Sequence, residues 1–411
     1  MTDPSYQPAA LRAVLWAQFF SSLADNALFM VCIAFFATVA APVWMMPSLK
    51  FLFVLPYVLL APVVGAVADA WPKGQVMLWS NLAKIVACVL LLFGVSPVLA
   101  CLVAGFGAAA YSPAKYAILA EILPQSSLVV ANAWIEGLTI LSIILGTALG
   151  GALASGPIAE YLQHYLSNGL HIALLVLVLI YLAAALVNVL IPRTGVKLVP
   201  LSRGVAQLLP EFKQAMRVLW SDPLARIGLS VGTLFWGACA ALQLLVLDWS
   251  VQQLGLSVDR GSLLLGVLAF SVALGAAAAA RFVPLTKALS VLWLGVLMGG
   301  VAMLLAWVHS VWMLVLLLAV AGALGGFFVV PMYALLQSRG PVVSHGGQTI
   351  AVQNFSENLS VLLMMLTYGG LRAAGVSLSV LIVLFGAIIV VGMVAVLRMR
   401  RKVDAECVSS V

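Results

Sequence analysis

The chain has 411 residues, of which 64% are apolar and 8% charged, with a net charge of +7 and a mean hydropathy of +1.18. Soluble domains carry about 25% charged residues, so this composition cannot clothe a soluble surface; it excludes a secreted disulfide scaffold, a disordered chain and a cytosolic enzyme. A bilayer-crossing helix needs about 20 mostly apolar residues, and the sequence holds enough of them for roughly a dozen such helices.

Twelve membrane-length segments follow in chain order, over approximately 10–41, 48–70, 76–95, 97–121, 130–156, 168–191, 223–250, 261–282, 287–306, 311–336, 350–374 and 376–399. They predict an all-α integral membrane fold. The first segment is too long for a signal peptide, has only Arg12 before it and is interrupted by Asp25-Asn26, so it reads as a retained helix. Placing the N-terminus in the cytoplasm puts fifteen of the 20 Lys and Arg residues on that side. Only Lys50, Arg260 and Arg372 then lie opposite, with Lys84 and Lys115 inside spans. This asymmetry predicts that both termini are cytoplasmic. The longest hydrophilic stretch, 192–222, divides the spans six and six. The expected organisation is an N-terminal bundle over 1–191, a cytoplasmic linker over 192–222, a C-terminal bundle over 223–400 and a cytoplasmic tail over 401–411. Within the linker, 205–220 mixes apolar and basic residues. It reads either as an amphipathic helix on the inner membrane surface or as a solvated connection.

An ionisable group inside a span is costly unless paired or wet, so each one marks a functional candidate. In span one, Gln18, Ser22 and Asp25 form one polar stripe at i, i+4 and i+7, suited to a cavity wall or to a helix-holding pair. Lys84 in span three reads first as a snorkelling side chain, with phosphate contact as its alternative. The partners open to Asp25 are a proton, Lys115 or Lys84 across the cavity, and a substrate ammonium. Span four carries Tyr111-Ser112-Pro113-Ala114-Lys115-Tyr116, where Pro113 invites a kink. Lys115 there has three readings: contact with a phosphate, neutralisation of Glu121 or another acid, and snorkelling. In span five, Asn132, Glu136 and Thr139 form a further stripe, with Glu136 either in the cavity or at the interface. Span eleven is the most polar, with Gln353, Asn354, Ser356, Glu357, Asn358 and Ser360. Such a face cannot meet lipid, so it lines a wet cavity or packs on polar partners. At the cytoplasmic side, Asp69, Lys73 and Glu121 read as a charge relay that closes an inner gate. Asp69 would meet the positive N-terminus of span eleven, and Glu121 would need Lys73 because its own helix end disfavours an anion.

The cysteines Cys32, Cys88, Cys101, Cys239 and Cys407 form no close pair in sequence and read as core residues, with no disulfide framework and no metal site. No histidine is followed five residues later by Asp, so the His-x4-Asp acyltransferase pattern is absent. No cofactor and no nucleic-acid partner is expected. The halves also echo each other. Gly107-x5-Pro113 matches Gly325-x5-Pro331, and Asn132-x3-Glu136 matches Gln353-x3-Glu357, at separations of 218 and 221 residues. Two such matches in the same order predict parallel six-helix repeats, an arrangement that places a substrate site at the repeat interface near mid-membrane.

The segment Gly65-Ala66-Val67-Ala68-Asp69-Ala70-Trp71-Pro72-Lys73-Gly74 resembles the Gly-x3-Asp-x2-Gly-Arg/Lys loop motif of the major facilitator superfamily, departing at Pro72 where that pattern has Gly. The second-half counterpart, Gly275 through Arg281, has Ala279 in place of the acid. A closer resemblance covers nearly the whole chain. Ala17-Gln18-Phe19, Ala24-Asp25-Asn26-Ala27-Leu28, the Gly107–Tyr116 string, Leu234-Phe235-Trp236-Gly237, Gly325 through Pro331 and Ala351-Val352-Gln353-Asn354 with Glu357-Asn358 look like the bacterial lysophospholipid transporter family. The resemblance implies a non-enzymatic flippase of the inner membrane. It would move lysophospholipids, chiefly lysophosphatidylethanolamine, to the cytoplasmic leaflet, where an acyltransferase/acyl-carrier-protein synthetase partner would reacylate them. It implies roles for Asp25 and Glu357, and the residues themselves suggest a substrate site drawn from these with Gln18, Asn26, Lys115, Gln353 and Asn354, and Asp69, Lys73 and Glu121 as gate residues. It also implies an arginine in span seven, where this chain has Gln243, with Asp248 nearby but of the wrong sign. The alternative on the same fold is a proton-coupled transporter of a small or drug-like solute, since fold alone does not set substrate.

Overall fold

The computed structural model describes residues 7–38, 45–155, 169–199, 205–256 and 258–409. Among them regular structure is entirely helical. The α-helices are α1 (Pro8–Thr38), α2 (Met45–Leu59), α3 (Ala61–Ala70), α4 (Lys73–Leu92), α5 (Pro97–Ile122), α6 (Leu128–Ser155) and α7 (Gly169–Val189). They continue as α8 (Val205–Ser221), α9 (Pro223–Gln252), α10 (Val258–Phe282), α11 (Trp293–Leu304), α12 (Val311–Val343), α13 (Gly346–Ala373) and α14 (Leu378–Ser409), with short 3-10 turns between some of them. Ten helical segments among the described residues are long and apolar enough to cross a bilayer, and the bent pair α2–α3 supplies an eleventh. The twelfth span is α13, whose 28 residues suffice in length but whose polar run over 353–360 dilutes its hydropathy.

Span two departs from the continuous helix expected over 48–70. It breaks at Leu60, where the segments Leu49–Leu59 and Ala61–Ala70 meet at 61°. The cause is Pro62, near the start of α3. Proline has no N–H to give the carbonyl four residues back, and its ring clashes with it. The chain restarts through Val63 and Val64 N–H donating to Leu60 O at 2.8 and 2.9 Å. The segment Val205–Ser221 is a helix with one apolar face. Leu208, Phe212, Ala215 and Leu219 are buried on one face of α8, while Glu211, Lys213 and Arg217 are exposed.

The helices group into two compact units. The first comprises Met1–Pro124, Leu138–Ala215 and His345–Asn354, the second Gln125–Gly137, Met216–Ser344 and Phe355–Val411. Within the first, α4 packs on α5 and α7, α7 on α1, and α2 on α5. Its core is Ala24, Leu28, Val31, Leu49, Ala87, Leu91, Ala104, Leu174, Leu177 and Tyr181, with their neighbours. The helix α7 is apolar all round, and its two faces have different solvents. Leu174, Leu177, Tyr181 and Ala184 are buried, whereas Leu175, Leu179, Leu182, Leu186 and Val189 form an exposed stripe at helical spacing. An apolar stripe of that length is stable only against lipid. Folding also brings Cys32 and Cys101, distant in sequence, to 3.7 Å between their Sγ atoms as free thiols. Within the second unit, α10 packs on α12, α11 on α14, and α9 on both α12 and α14.

Small residues set the closest helix contacts. A Cβ at Gly146 would lie 2.5 Å from Leu23 O, and one at Gly150 2.5 Å from Ala27 O, so α6 touches α1 backbone to backbone. Gly295 and Gly299 admit Met393 and Val390 of α14 in the same way. Gly150→Ala is expected to push α6 from α1 and to destabilise the detergent-solubilised protein by about 1–3 kcal/mol. Gly137→Ala, with nothing within 4 Å of the added methyl, should be neutral or stabilising by about 0.5–1 kcal/mol. Paired thermal melts of the two variants check this.

Candidate functional site

The first unit buries an ion pair between α1 and α4. Lys84 Nζ donates to Asp25 Oδ2 at 2.7 Å and to Ser21 Oγ at 2.9 Å. Ser21 Oγ donates to Asn81 Oδ1 at 2.7 Å, and the Tyr181 hydroxyl donates to Asp25 Oδ1 at 2.8 Å. The ammonium stands 5.2 Å from the Tyr111 ring centre and 5.7 Å from that of Tyr181, so two π-faces share in holding it. The Lys84 side chain is 1% exposed and that of Asp25 18%.

This arrangement corrects two expectations. Lys84 does not snorkel. It lies eleven residues into α4, roughly 16 Å along the axis, which is beyond what its side chain can span to reach water. That depth is the signal in the sequence that would have identified it. The stripe on α1 also divides. Asp25 joins Ser21, one turn before it, while Gln18 Nε2 donates to Thr139 Oγ1 of α6 at 2.9 Å and Asn26 Nδ2 to Ser22 O at 2.8 Å. The cation for Asp25 therefore comes from span three of the same unit, with Gln243 standing where the family pattern has arginine.

At the cytoplasmic end expected from the charge asymmetry, Asp69 takes the first amides of α13. Gly347 N–H donates to its Oδ1 at 2.7 Å and Gln348 N–H to its Oδ2 at 2.8 Å. A carboxylate at the N-terminus of a helix is favoured by the unpaired amides and by the helix dipole. Glycine is needed there, because a Cβ at Gly347 would sit 2.7 Å from Gly65 O and 2.8 Å from Asp69 Oδ1. Lys73 Nζ lies 3.0 Å from Glu121 Oε1, and the Thr194 hydroxyl donates to Glu121 Oε2 at 2.5 Å. The cation on Glu121 is thus Lys73, whereas Lys115 Nζ sits 4.1 Å over the Tyr116 ring. Asn354 Nδ2 donates to Ser112 Oγ at 3.0 Å, which ties the polar start of α13 to α5, and Gln353 is buried beside it in sequence.

In the second unit Glu357 is buried. Gly232 of α9 makes room for it, since a Cβ there would lie 2.5 Å from Glu357 Oε1 and 3.3 Å from the Tyr333 ring. The Tyr333 hydroxyl in turn accepts from Trp236 Nε1. Asn132 and Gln337 form a reciprocal amide pair, each donating to the other at 2.8 Å, with both side chains buried. Glu136 is buried too. Asp222 caps α9 by accepting from Ala225 N–H at 2.9 Å. It also receives Arg339 in a fork, with Nη2 to Oδ2 at 2.8 Å and Nε to Oδ2 at 3.1 Å. Burial pushes this carboxyl up, but the guanidinium and the capping amide outweigh it and hold it below the usual carboxylate range.

The 218-residue offset that relates Pro113 to Pro331 also relates Glu121 to Arg339. The two positions carry opposite charges. Arg339 near the end of α12 and Asp222 before α9 both agree with their helix dipoles, while Glu121 at the end of α5 and Lys73 at the start of α4 both oppose theirs.

A family model, that of the Major Facilitator Superfamily, matches residues 14–290. Over 367 residues the chain is 39% identical to a lysophospholipid transporter of Photorhabdus laumondii, covering 89% of each chain. It is 40% identical over 366 residues to the lysophospholipid transporter of Yersinia enterocolitica, covering 89% of this chain and 88% of the relative. Among solved structures it is similar in fold to a human organic anion transporter, with a TM-score of 0.75 at 17% identity over 95% of this chain and 100% of the other. It is similarly like a bacterial homologue of the iron transporter ferroportin, with a TM-score of 0.72 at 15% identity over 95% and 99%.

Removing one partner of a buried ion pair leaves an uncompensated charge and costs about 3–5 kcal/mol. Lys84→Met should lose that much stability in detergent, and Asp25→Asn/Lys84→Met should recover part of it. Equal melting temperatures for Lys84→Met and the unmodified protein would sink the pair as a structural element.

Proposed function

Because the chain belongs to the major facilitator superfamily and, within it, to the bacterial lysophospholipid transporter family, we propose that it carries lysophospholipids across the bacterial inner membrane to the cytoplasmic leaflet by alternating access. Lysophosphatidylethanolamine is the chief substrate, and an acyltransferase/acyl-carrier-protein synthetase consumes it there. The observation that carries this reading is identity near 40% extending over nearly nine-tenths of the chain. The working division is a six-helix bundle over 1–191, a linker over 192–222, a second bundle over 223–400 and a tail from 401, with both termini cytoplasmic as the basic residues predict.

In this reading the headgroup ammonium is served by carboxylates and its phosphate by Lys115 and by the amides of Gln353 and Asn354, with Gln18 and Asn26 beside them on α1. Asp25 is the partly exposed member of its ion pair, so the ammonium competes with Lys84 for a carboxylate that is never left bare. Glu357 supplies the second acid. Asp69, Lys73 and Glu121 form the gate. Asp69 holds the start of α13, and the dipole-opposed Lys73–Glu121 pair releases when the gate opens.

Proteoliposomes supplied externally with labelled lysophosphatidylethanolamine should accumulate it in the inner leaflet. Failure to do so, with a small-solute flux that stops on collapse of the proton gradient, would overturn the reading in favour of its alternative. Glu357→Gln should fold and express normally yet transport poorly. Normal uptake by that variant at both limiting and saturating substrate would remove Glu357 from the site. Asp69→Asn loses a charge–dipole contact worth about 0.3–2 kcal/mol. It should lower the accessibility of cysteines placed in the outer cavity, and unchanged labelling would speak against a gating role.

A further inference from the structure

Among the ion pairs of the described residues, that of Arg372 with Asp248 differs from three others. Lys84–Asp25, Arg339–Asp222 and Lys73–Glu121 close at 2.7, 2.8 and 3.0 Å. Arg372 Nε stands 3.8 Å from Asp248 Oδ2, outside hydrogen-bonding distance, with the two side chains 30% and 38% exposed. The other contacts of Arg372 are also long: Nη1 donates to Val376 O at 3.3 Å and Nη2 to Gln252 Oε1 at 3.4 Å. The Tyr368 hydroxyl donates to Asp248 Oδ2, the same oxygen that Arg372 faces. Asp248 Oδ1 accepts no hydrogen bond among the described residues.

An exposed pair held this loosely contributes little to stability. A cation in the last turn of α13 is accounted for by the helix C-terminus, but Asp248 is not. The residue after Asp248, Trp249, is buried and donates through Nε1 to Val308 O at 3.2 Å, so this end of α9 is anchored and its carboxylate is presented from a fixed backbone. The result is a guanidinium with unused donors beside a carboxylate with an unused oxygen, close together and open to the surroundings. A ligand carrying the same two charges in the opposite order completes that array.

We propose that Asp248, Arg372 and Tyr368 form an accessory headgroup site for a zwitterionic phospholipid, at the membrane face opposite the Asp69 gate. A phosphate takes the free donors of Arg372, which match it in a planar fork. An ammonium two carbons away takes Asp248 Oδ1, and Tyr368 fixes the carboxylate between them. The site lies where lysolipid is first met, and it captures headgroups of the phosphoethanolamine class ahead of anionic ones. This inference rests on the function proposed above and on the topology given there.

The test is uptake by proteoliposomes of lysophosphatidylethanolamine and of lysophosphatidylglycerol, each over a range of external concentrations. Asp248→Asn should raise the half-saturating concentration of the ethanolamine lipid by about three- to tenfold, leave its maximal rate intact and leave the glycerol lipid unchanged. Arg372→Gln should weaken both lipids, and Arg372→Lys should restore part of the loss. Unchanged half-saturation for both lipids in Asp248→Asn and Arg372→Gln would overturn the site. So would an equal loss for both lipids in Asp248→Asn that tracks a lowered melting temperature, which is the outcome of a purely structural pair. An unmodified protein that moves neither lipid overturns the proposed function itself, whereas one that moves both while the variants match it overturns this site alone.

Discussion

A charge inside a hydrocarbon layer has no water to fall back on, so its partner must come from the protein. In this chain the deepest instance is Lys84, enclosed by Asp25, Ser21 and the rings of Tyr111 and Tyr181. Much of the first unit is arranged around that requirement. The helix α1 supplies the carboxylate, α4 the ammonium, α5 and α7 the aromatic faces, and the apolar core from Ala24 to Tyr181 packs around them. A buried pair of this kind is weak evidence of net stability. Its use is that both members are held at a defined place, with Asp25 the more exposed of the two.

The remaining ion pairs differ in how they sit on their helices. Arg339–Asp222 is a forked pair that also caps α9, and both charges agree with the helix dipoles. Lys73–Glu121 opposes both dipoles and is supported by Thr194. Arg372–Asp248 is not closed at all. A transporter needs some contacts that persist through its cycle and some that exchange partners. The same residue types supply both here, distinguished by burial and by the direction of the helix end on which they stand.

Amides complement the charges. Asn132 with Gln337, Asn354 with Ser112 and Gln18 with Thr139 each satisfy buried polar atoms without introducing a formal charge. They give Asn132 and Thr139 of span five and Asn354 of span eleven their partners. The backbone amides at the start of α13 do comparable work for Asp69, and Gly347 is there because the Gly65 backbone approaches too closely for a side chain.

The all-α membrane class, the spans and the polar character of α13 follow from local facts: long apolar runs, punctuation by charge, and helical spacing. Those properties depend on neighbours in sequence and on the bilayer, so they are legible before folding. The break at Leu60 was also written locally, in Pro62, but a hydropathy window does not weigh one missing N–H. Which cation meets Asp25 was a different matter. Residues 25 and 84 are joined only by the packing of α1 against its neighbours, and side-chain spacing along either helix carries no information about the other. The same holds for Cys32 with Cys101, Asn132 with Gln337, and Asp248 with Tyr368 and Arg372. Sequence determined which groups must find partners in a medium without water, and tertiary structure alone decided which partners they found, because pairing depends on distances between helices that no local rule sets.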